Sequence, residues 1–247
     1  MAPTFQHGKG AAVLVNKTNM SVILNDASFD ATADVAEVTN FGSSGNREYI
    51  AGVRDASGSF SGMFDGSTNE TDQVFEALLG NSTAAVITYG PGGDTIGTPA
   101  YLGAARVTSY NVASPASDVV AASMAVQYTS ESRSGFWLAD LGARSTATTH
   151  ATVVMPGSSA STLGGIGHLH VISATTNVGG AELNMKIQDS SAGSVWADVL
   201  TFASVSSTAP ESYQRVLVTG EVLDQVKATA SLMSSTNATY SVAFARR

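Results

Sequence analysis

Short runs in which apolar and polar residues alternate with a period of two dominate the chain, and clusters of Gly, Ser, Thr and Asn separate them. In Gly58 to Phe64, GSFSGMF puts Phe60 and Phe64 on one face and Ser59, Ser61 and Met63 on the other, which predicts a half-buried strand. Met124, Val126 and Tyr128 alternate in the same way with Ser123, Ala125 and Gln127. Further strands are predicted at 83–89 and 104–112, and a strand pair at Ala11 to Val15 and Met20 to Leu24, on either side of the polar NKTN. Beyond residue 165 the pattern resumes with Leu169 and Val171, with Leu183, Met185 and Ile187, and with Val216 and Val218. Strands at 194–203, 225–233 and 238–245 complete a small β-sandwich, with Trp196, Phe202, Tyr240 and Phe244 available for its core.

One segment breaks the period. Ser67 and Glu70 have the spacing of a capping box, Val74, Phe75, Leu78 and Leu79 make one apolar stripe, and Gly80 suits a left-handed C-terminal position. A helix is predicted there, with its stripe against a sheet. From Asp30 to Tyr49 the chain is polar, glycine-studded and poor in large apolar groups, which reads as a loop that orders only when something packs on it. The stretch 134–165, rich in Ser, Thr and Gly, reads as an extended, partly flexible linker.

Composition agrees with a mainly β chain. Of 247 residues, 43% are hydrophobic but only 13% are charged, and small residues that suit pleated sheets and turns fill the difference. There is no cysteine, so disulfides and thiolate metal sites are excluded, which fits assembly in a reducing cytoplasm. The N-terminal residues lack a signal-peptide pattern, and no apolar run reaches the roughly 20 residues that span a bilayer. Charge divides the chain. Residues 1–140 carry six Lys and Arg against fourteen Asp and Glu, a net of −8, whereas residues 141–247 carry six of each sign. Two domains with different tasks are the expectation, 1–133 and 166–247, joined by the linker.

An ordered set of segments carries a family resemblance: GKGAAVLVN at 8–16, the acidic DVAEVTNFG at 34–42, YIAGVRDASGSFSGMFDGS at 49–67, ETDQVFEALLG at 70–80, GTPAYLGAARVTSYNV at 97–112 and SPASDVVAASMAVQYTS at 114–130. Together they resemble the major tail tube proteins of long-tailed, siphovirus-type bacteriophages, over about residues 8–133. Residues 166–247 are similar to the sandwich domains that some of these phages append to the tube subunit. The resemblance implies a β-barrel or sandwich with one flanking helix, followed by a smaller outward-projecting sandwich. It also implies a structural protein of the virion tail, assembled in the host cytoplasm as stacked rings of six. Its partners would be other copies, the tape measure protein and then DNA in the lumen without sequence-specific binding, and the tail terminator and tail tip proteins. An acidic wall suits such a conduit, because a basic one would hold DNA, with its charge every 1.7 Å or so, through many phosphate contacts. Asp55, Asp118 and Glu131, beside predicted strands, are the candidate lumen-facing acids. In the polar loop Asp34, Glu37, Asn40, Phe41, Arg47 and Tyr49 are the candidate contacts to a neighbouring ring.

No catalytic constellation emerges, and neither an enzyme nor a cofactor is expected. The histidines are His7, His150, His168 and His170. His168 and His170 share a strand face without a third ligand in sequence, so they read as exposed or cross-strand histidines and not as a metal site. Gly90 to Gly97 lacks the Lys-Ser/Thr of a phosphate loop and reads as a hairpin connection. Asp65, Asn69 and Asp72 read as helix-capping residues before a calcium site. The alternative to a tube subunit is a virion adhesin or carbohydrate-binding decoration protein, contacting its ligand through Trp196 or Tyr213.

Overall fold

Small and branched residues in period-two runs form ladders, and these ladders make up nearly all of the regular structure. The computed structural model describes residues 8–67, 70–156, 160–176, 182–206, 211–232 and 236–247. In chain order its strands are β1 (Ala12–Val15), β2 (Thr18–Asn19), β3 (Leu24–Glu37), β4 (Tyr49–Met63), β5 (Ala85–Gly90), β6 (Pro99–Ala113), β7 (Ala121–Tyr128), β8 (Arg133–Arg144), β9 (Thr148–Thr149), β10 (Val153–Val154), β11 (Gly165–Thr176), β12 (Glu182–Ser190), β13 (Ala197–Thr201), β14 (Val205–Ser206), β15 (Ser212–Val218), β16 (Gln225–Leu232) and β17 (Thr236–Arg246). Helix α1 (Thr71–Leu78) lies between β4 and β5. The protein is mainly β, as its sequence pattern predicts.

An eleven-stranded sheet runs in the order β15-β11-β17-β8-β6-β5-β1-β2, and from β6 it also continues through β7 and β4 to β3. A second sheet of six strands, β10-β16-β12-β13 with β9 and β14 at its margins, faces the β11–β17–β8 part of the first. Three cores result. Phe60, Phe75, Ile87, Met124 and Val126 fill the first half, and Leu169, Ile187, Phe202, Tyr240 and Phe244 fill the sandwich of the second. Leu14, Leu102, Trp137, Ala243 and Ala245 form a third between the halves.

Several sequence expectations need correction. The segment from Ser134, expected as the start of a flexible linker, is strand β8, which pairs with β17 on one side and β6 on the other. Trp137 enters the core between the halves while Leu138 enters the sandwich core. A strand buried on both faces shows a continuous apolar run, here FWLA, in place of alternation. The first hairpin is shorter than expected, since β2 ends at Asn19 and the chain turns at the buried Met20. Trp196 is no core residue: its ring lies at the surface under the Lys227 ammonium, 3.9 Å from the centroid.

Helix α1 buries Phe75 against β6 and β7, with Val74 and Leu78 half-buried, and Gly80 follows at φ 72°. Its start is built differently from the expected capping box. Glu70 holds the N-cap position without a side-chain bond, and Ser67 belongs to the turn before it, where its amide donates to the Asp65 carboxylate at 2.8 Å. The Thr71 hydroxyl instead ties the first turn to β4, donating to the Met63 carbonyl at 3.0 Å and accepting from the Asp65 amide at 2.9 Å. Asp72 accepts from the Tyr110 hydroxyl at 2.5 Å, and Asn69 lies outside the described residues.

Candidate functional site

The expected loop from Asp30 to Tyr49 is mostly a β-hairpin arm. Strand β4 has β7 as a partner only from Ser57 to Met63. Outboard of Ser57 its partner is β3, which among the described residues pairs with no other strand along its length. The ladder continues to Ala36–Ile50 and Glu37–Tyr49, so a two-stranded ribbon projects about 25 Å at the usual rise per residue. Every residue of the ribbon from Asp30 to Glu37 and from Tyr49 to Asp55 is exposed.

Hydrogen bonds order the tip. The Val38 amide donates to the Glu48 carbonyl at 2.8 Å, and the Thr39 hydroxyl accepts from the Glu48 amide at 3.0 Å while donating to the Glu37 carboxylate. The Asn40 side chain accepts from the Gly42 amide at 2.8 Å, and the Ser43 hydroxyl accepts from the Asn40 amide. Ser44 and Gly45 both take positive φ as the central pair of a tight turn, closed by the Asn46 amide donating to the Ser43 carbonyl at 3.0 Å. Arg47 pairs with Glu37 across the ribbon at 3.6 Å. Around this frame Val35, Tyr49, Ile50 and Val53 are more than half exposed, and Phe41 is fully exposed at the end. The fold thus brings together Asp34, Glu37, Asn40, Phe41, Arg47 and Tyr49 on one projecting element.

A second surface follows from register. In the sheet β3–β4–β7–β6, Phe60, Ala122, Met124, Val126 and Val107 face the core, so their neighbours in sequence face away. That open face presents Asp26, Ser28 and Asp30 of β3, Ser57, Ser59 and Ser61 of β4, Ser123, Ala125 and Gln127 of β7, and Arg106, Ser109 and Asn111 of β6. The Ser28 and Ser59 hydroxyls, 2.9 Å apart, show that paired residues share this side. Apart from Met63 at one end it carries no large apolar side chain.

Asp55 sits where arm and open face meet, its carboxylate accepting from the Gln127 amide at 2.5 Å. Asp118 lies at the opposite end of the sheet, in the β6–β7 connection, where it accepts from the Val119 amide. Glu131 is placed differently. Its carboxylate is held by Arg133 and by Arg247 at 2.6 Å, and its backbone carbonyl accepts from Arg215, so its charge is compensated. Sequence reasoning missed Asp26 and Asp30, since only the ladder shows which side of β3 they take.

Of the two readings for His168 and His170, exposed or cross-strand, exposure is overturned: both are fully buried and both bond the hydroxyl of Thr88. Among the described residues no three His, Cys, Asp or Glu cluster for a metal. His7 lies outside the described residues. Residues 90–97 connect β5 to β6 as the expected hairpin. Trp196 donates its indole N–H to the Gly193 carbonyl at 3.2 Å, and Tyr213 is half-buried in β15. Among the described residues no helix is long and apolar enough to cross a membrane.

No protein-family model matches the chain, and no curated protein matches it. Solved structures similar to it include a chain from the virion of a native gene transfer agent particle, with 19% identity and a TM-score of 0.44 over 52% of this chain and 97% of that one. A chain from the tail of the empty gene transfer agent particle, refined with C6 symmetry, gives 19% identity and a TM-score of 0.43 over the same shares. The SPP1 Dit protein, described as a hub adsorption apparatus of phages infecting Gram-positive hosts, gives 9% identity and a TM-score of 0.36 over 94% of this chain and 98% of that one.

Proposed function

We propose that this chain is a structural subunit of a phage-type tail, polymerising as stacked rings of six into a tube that conducts DNA. The observation that carries the reading is the arm. A ribbon whose strand residues from Asp30 to Glu37 and from Tyr49 to Asp55 are all exposed, and which ends in a fully exposed Phe41, is stable in use only when a neighbour covers it. Ring closure needs a contact repeated by rotation, and stacking needs an axial contact that never closes. The free edge of β3 supports the first, and the tip from Val38 to Glu48 supports the second.

The open face of β3–β4–β7–β6 is assigned to the channel. Small hydroxyl and amide groups offer DNA no apolar grip, and Asp26, Asp30 and Asp55 against Arg106 give the face a negative balance that repels phosphate. In this reading Asp118 lines one mouth of the channel, while the compensated Glu131 contributes shape more than field. The second half then decorates the outside of the tube, and the remaining partners are the tape measure protein, the tail terminator and the tail tip.

Deleting the tip from Gly42 to Gly45 tests the reading through sedimentation. The full chain is expected to sediment as large polymers and the deletion as folded monomers or single rings. Polymers of equal size from both would overturn the role of the arm.

A further inference from the structure

The first and second halves meet across a buried polar bridge. Strand β11 brings His168 and His170 onto the face opposite Leu169 and Val171, and β5 of the first half brings Thr88 against them. All three side chains are fully buried. The Thr88 hydroxyl lies 2.9 Å from His168 Nδ1 and 2.7 Å from His170 Nε2. His170 Nδ1 is 2.6 Å from the Asn16 carbonyl oxygen, at the turn after β1.

These contacts fix the protons. A carbonyl only accepts, so His170 Nδ1 carries hydrogen, and in the neutral ring Nε2 must then accept from the Thr88 hydroxyl. That hydroxyl has one proton to give, so its oxygen accepts from His168 Nδ1–H. Both protons of the pair are thereby placed, and His168 Nε2 is left buried as a bare acceptor with no hydrogen-bond partner among the described residues.

We propose that this bridge is an acid-sensitive latch, which clamps the second half to the first while both rings are neutral and lets go when either ring gains a proton. A proton on His170 Nε2 turns the Thr88 hydroxyl around to donate to His168 Nδ1. His168 must then carry its own proton on Nε2, where it meets no acceptor. A proton added directly to His168 Nε2 makes an imidazolium beside Arg215, its cross-strand neighbour in β15. Neither route ends in a satisfied arrangement, and a buried unsatisfied donor or uncompensated charge is costly.

Among the described residues the surroundings supply no free counter-charge. Facing the rings are Arg215 and the half-buried Tyr213 from β15, Ser241 and Ala243 from β17, and Leu14 and Leu102 beside Thr88. Glu131 is committed to Arg133 and Arg247, and Glu211 to Lys17 in an exposed ion pair at the rim. Burial accordingly pushes His170 down to about 4 and His168 well below its ordinary value, the latter helped by His170 and Arg215. Folded-state values below the unfolded 6.5 mean that the stabilisation is complete above about pH 6.5 and falls as pH drops toward the folded values. The latch is independent of whether the chain forms tubes.

The chain has two tryptophans, and Trp137 is fully buried in the core between the halves, so Trp196→Phe leaves it as sole reporter. Its emission is followed in the full chain from about pH 7.5 to 4. A red shift is expected below about pH 6, and adding His168→Asn and His170→Asn, which keep a donor near each Nδ1, should displace it by at least about one pH unit. An unchanged shift in that variant assigns the acid response to His150 or to carboxylates and overturns the latch, as does the absence of any shift. Should the Asn variant fail to fold, imidazole NMR titration of the Trp196→Phe chain decides, with His150 resolved separately. His168 and His170 protonating together with the Trp137 shift supports the latch, and their titration near 6.5 with Trp137 still buried overturns it.

Discussion

Trp137 depends on a residue that has no side chain. A Cβ on Gly90 would stand 2.4 Å from the indole nitrogen and 2.4 Å from the Gly93 carbonyl oxygen. Gly90→Ala therefore overpacks the core between the halves and is expected to lower stability by about 1–3 kcal/mol in urea denaturation. Phe41 is the reverse case, because it touches nothing that folding buries. Phe41→Ala should change stability by less than about 0.5 kcal/mol while reducing polymer yield in sedimentation, and an unfolded variant would show that the tip belongs to the subunit's own core. His150 adds an acid dependence separate from the bridge. It lies 3.1 Å from the Tyr240 hydroxyl, and burial with the nearby Arg144 pushes it down to about 4. Since its folded value lies below 6.5, its stabilising share is whole above about pH 6.5 and is lost as pH falls toward 4. Replacing His150 by Gln should flatten the pH dependence of the urea midpoint over that interval.

Among the elements, those with one wet face and one dry face were legible in sequence. Phe60 in β4, Met124 and Val126 in β7, and Val74, Phe75 and Leu78 of α1 face the core as their spacing predicts, whereas Leu79, expected in the same stripe, follows the last helical residue and is exposed. The arm was not legible as strands, because Asp30 to Glu37 buries neither face and so carries no burial period. Strand β8 was missed for the opposite reason. Trp137 and Leu138 enter different cores, which replaces alternation with an apolar run beside Ser- and Thr-rich sequence. His168 and His170 lie on the alternate face of a correctly read strand, but what covers that face is Thr88, eighty residues earlier. Nothing local signals such a contact. As a staple between two cores, β8 should be sensitive: Leu138→Ala is expected to cost about 2–5 kcal/mol by urea denaturation, against near-neutral substitutions along the arm.

At the scale of the whole molecule, one sheet runs from β15 of the second half through β8 to the first half, reinforced by the histidine bridge and by Glu131 with its arginines. Calorimetry at neutral pH should therefore show one cooperative transition, and two well-separated ones would mean that the halves are energetically independent. The charge division acquires a location as well, since the acids of the first half include Asp26, Asp30 and Asp55 on one open sheet face. Reversing these three to Lys should leave rings intact and slow DNA passage, and ejection at the normal rate would remove the repulsive lining from the account. Assembly into tubes is tested most directly by electron microscopy of the purified chain. Filaments of stacked six-fold rings around an open channel, with the arm of each ring reaching the next, are the expected result. Isolated monomers under every assembly condition, with the arm uncovered, would contradict it.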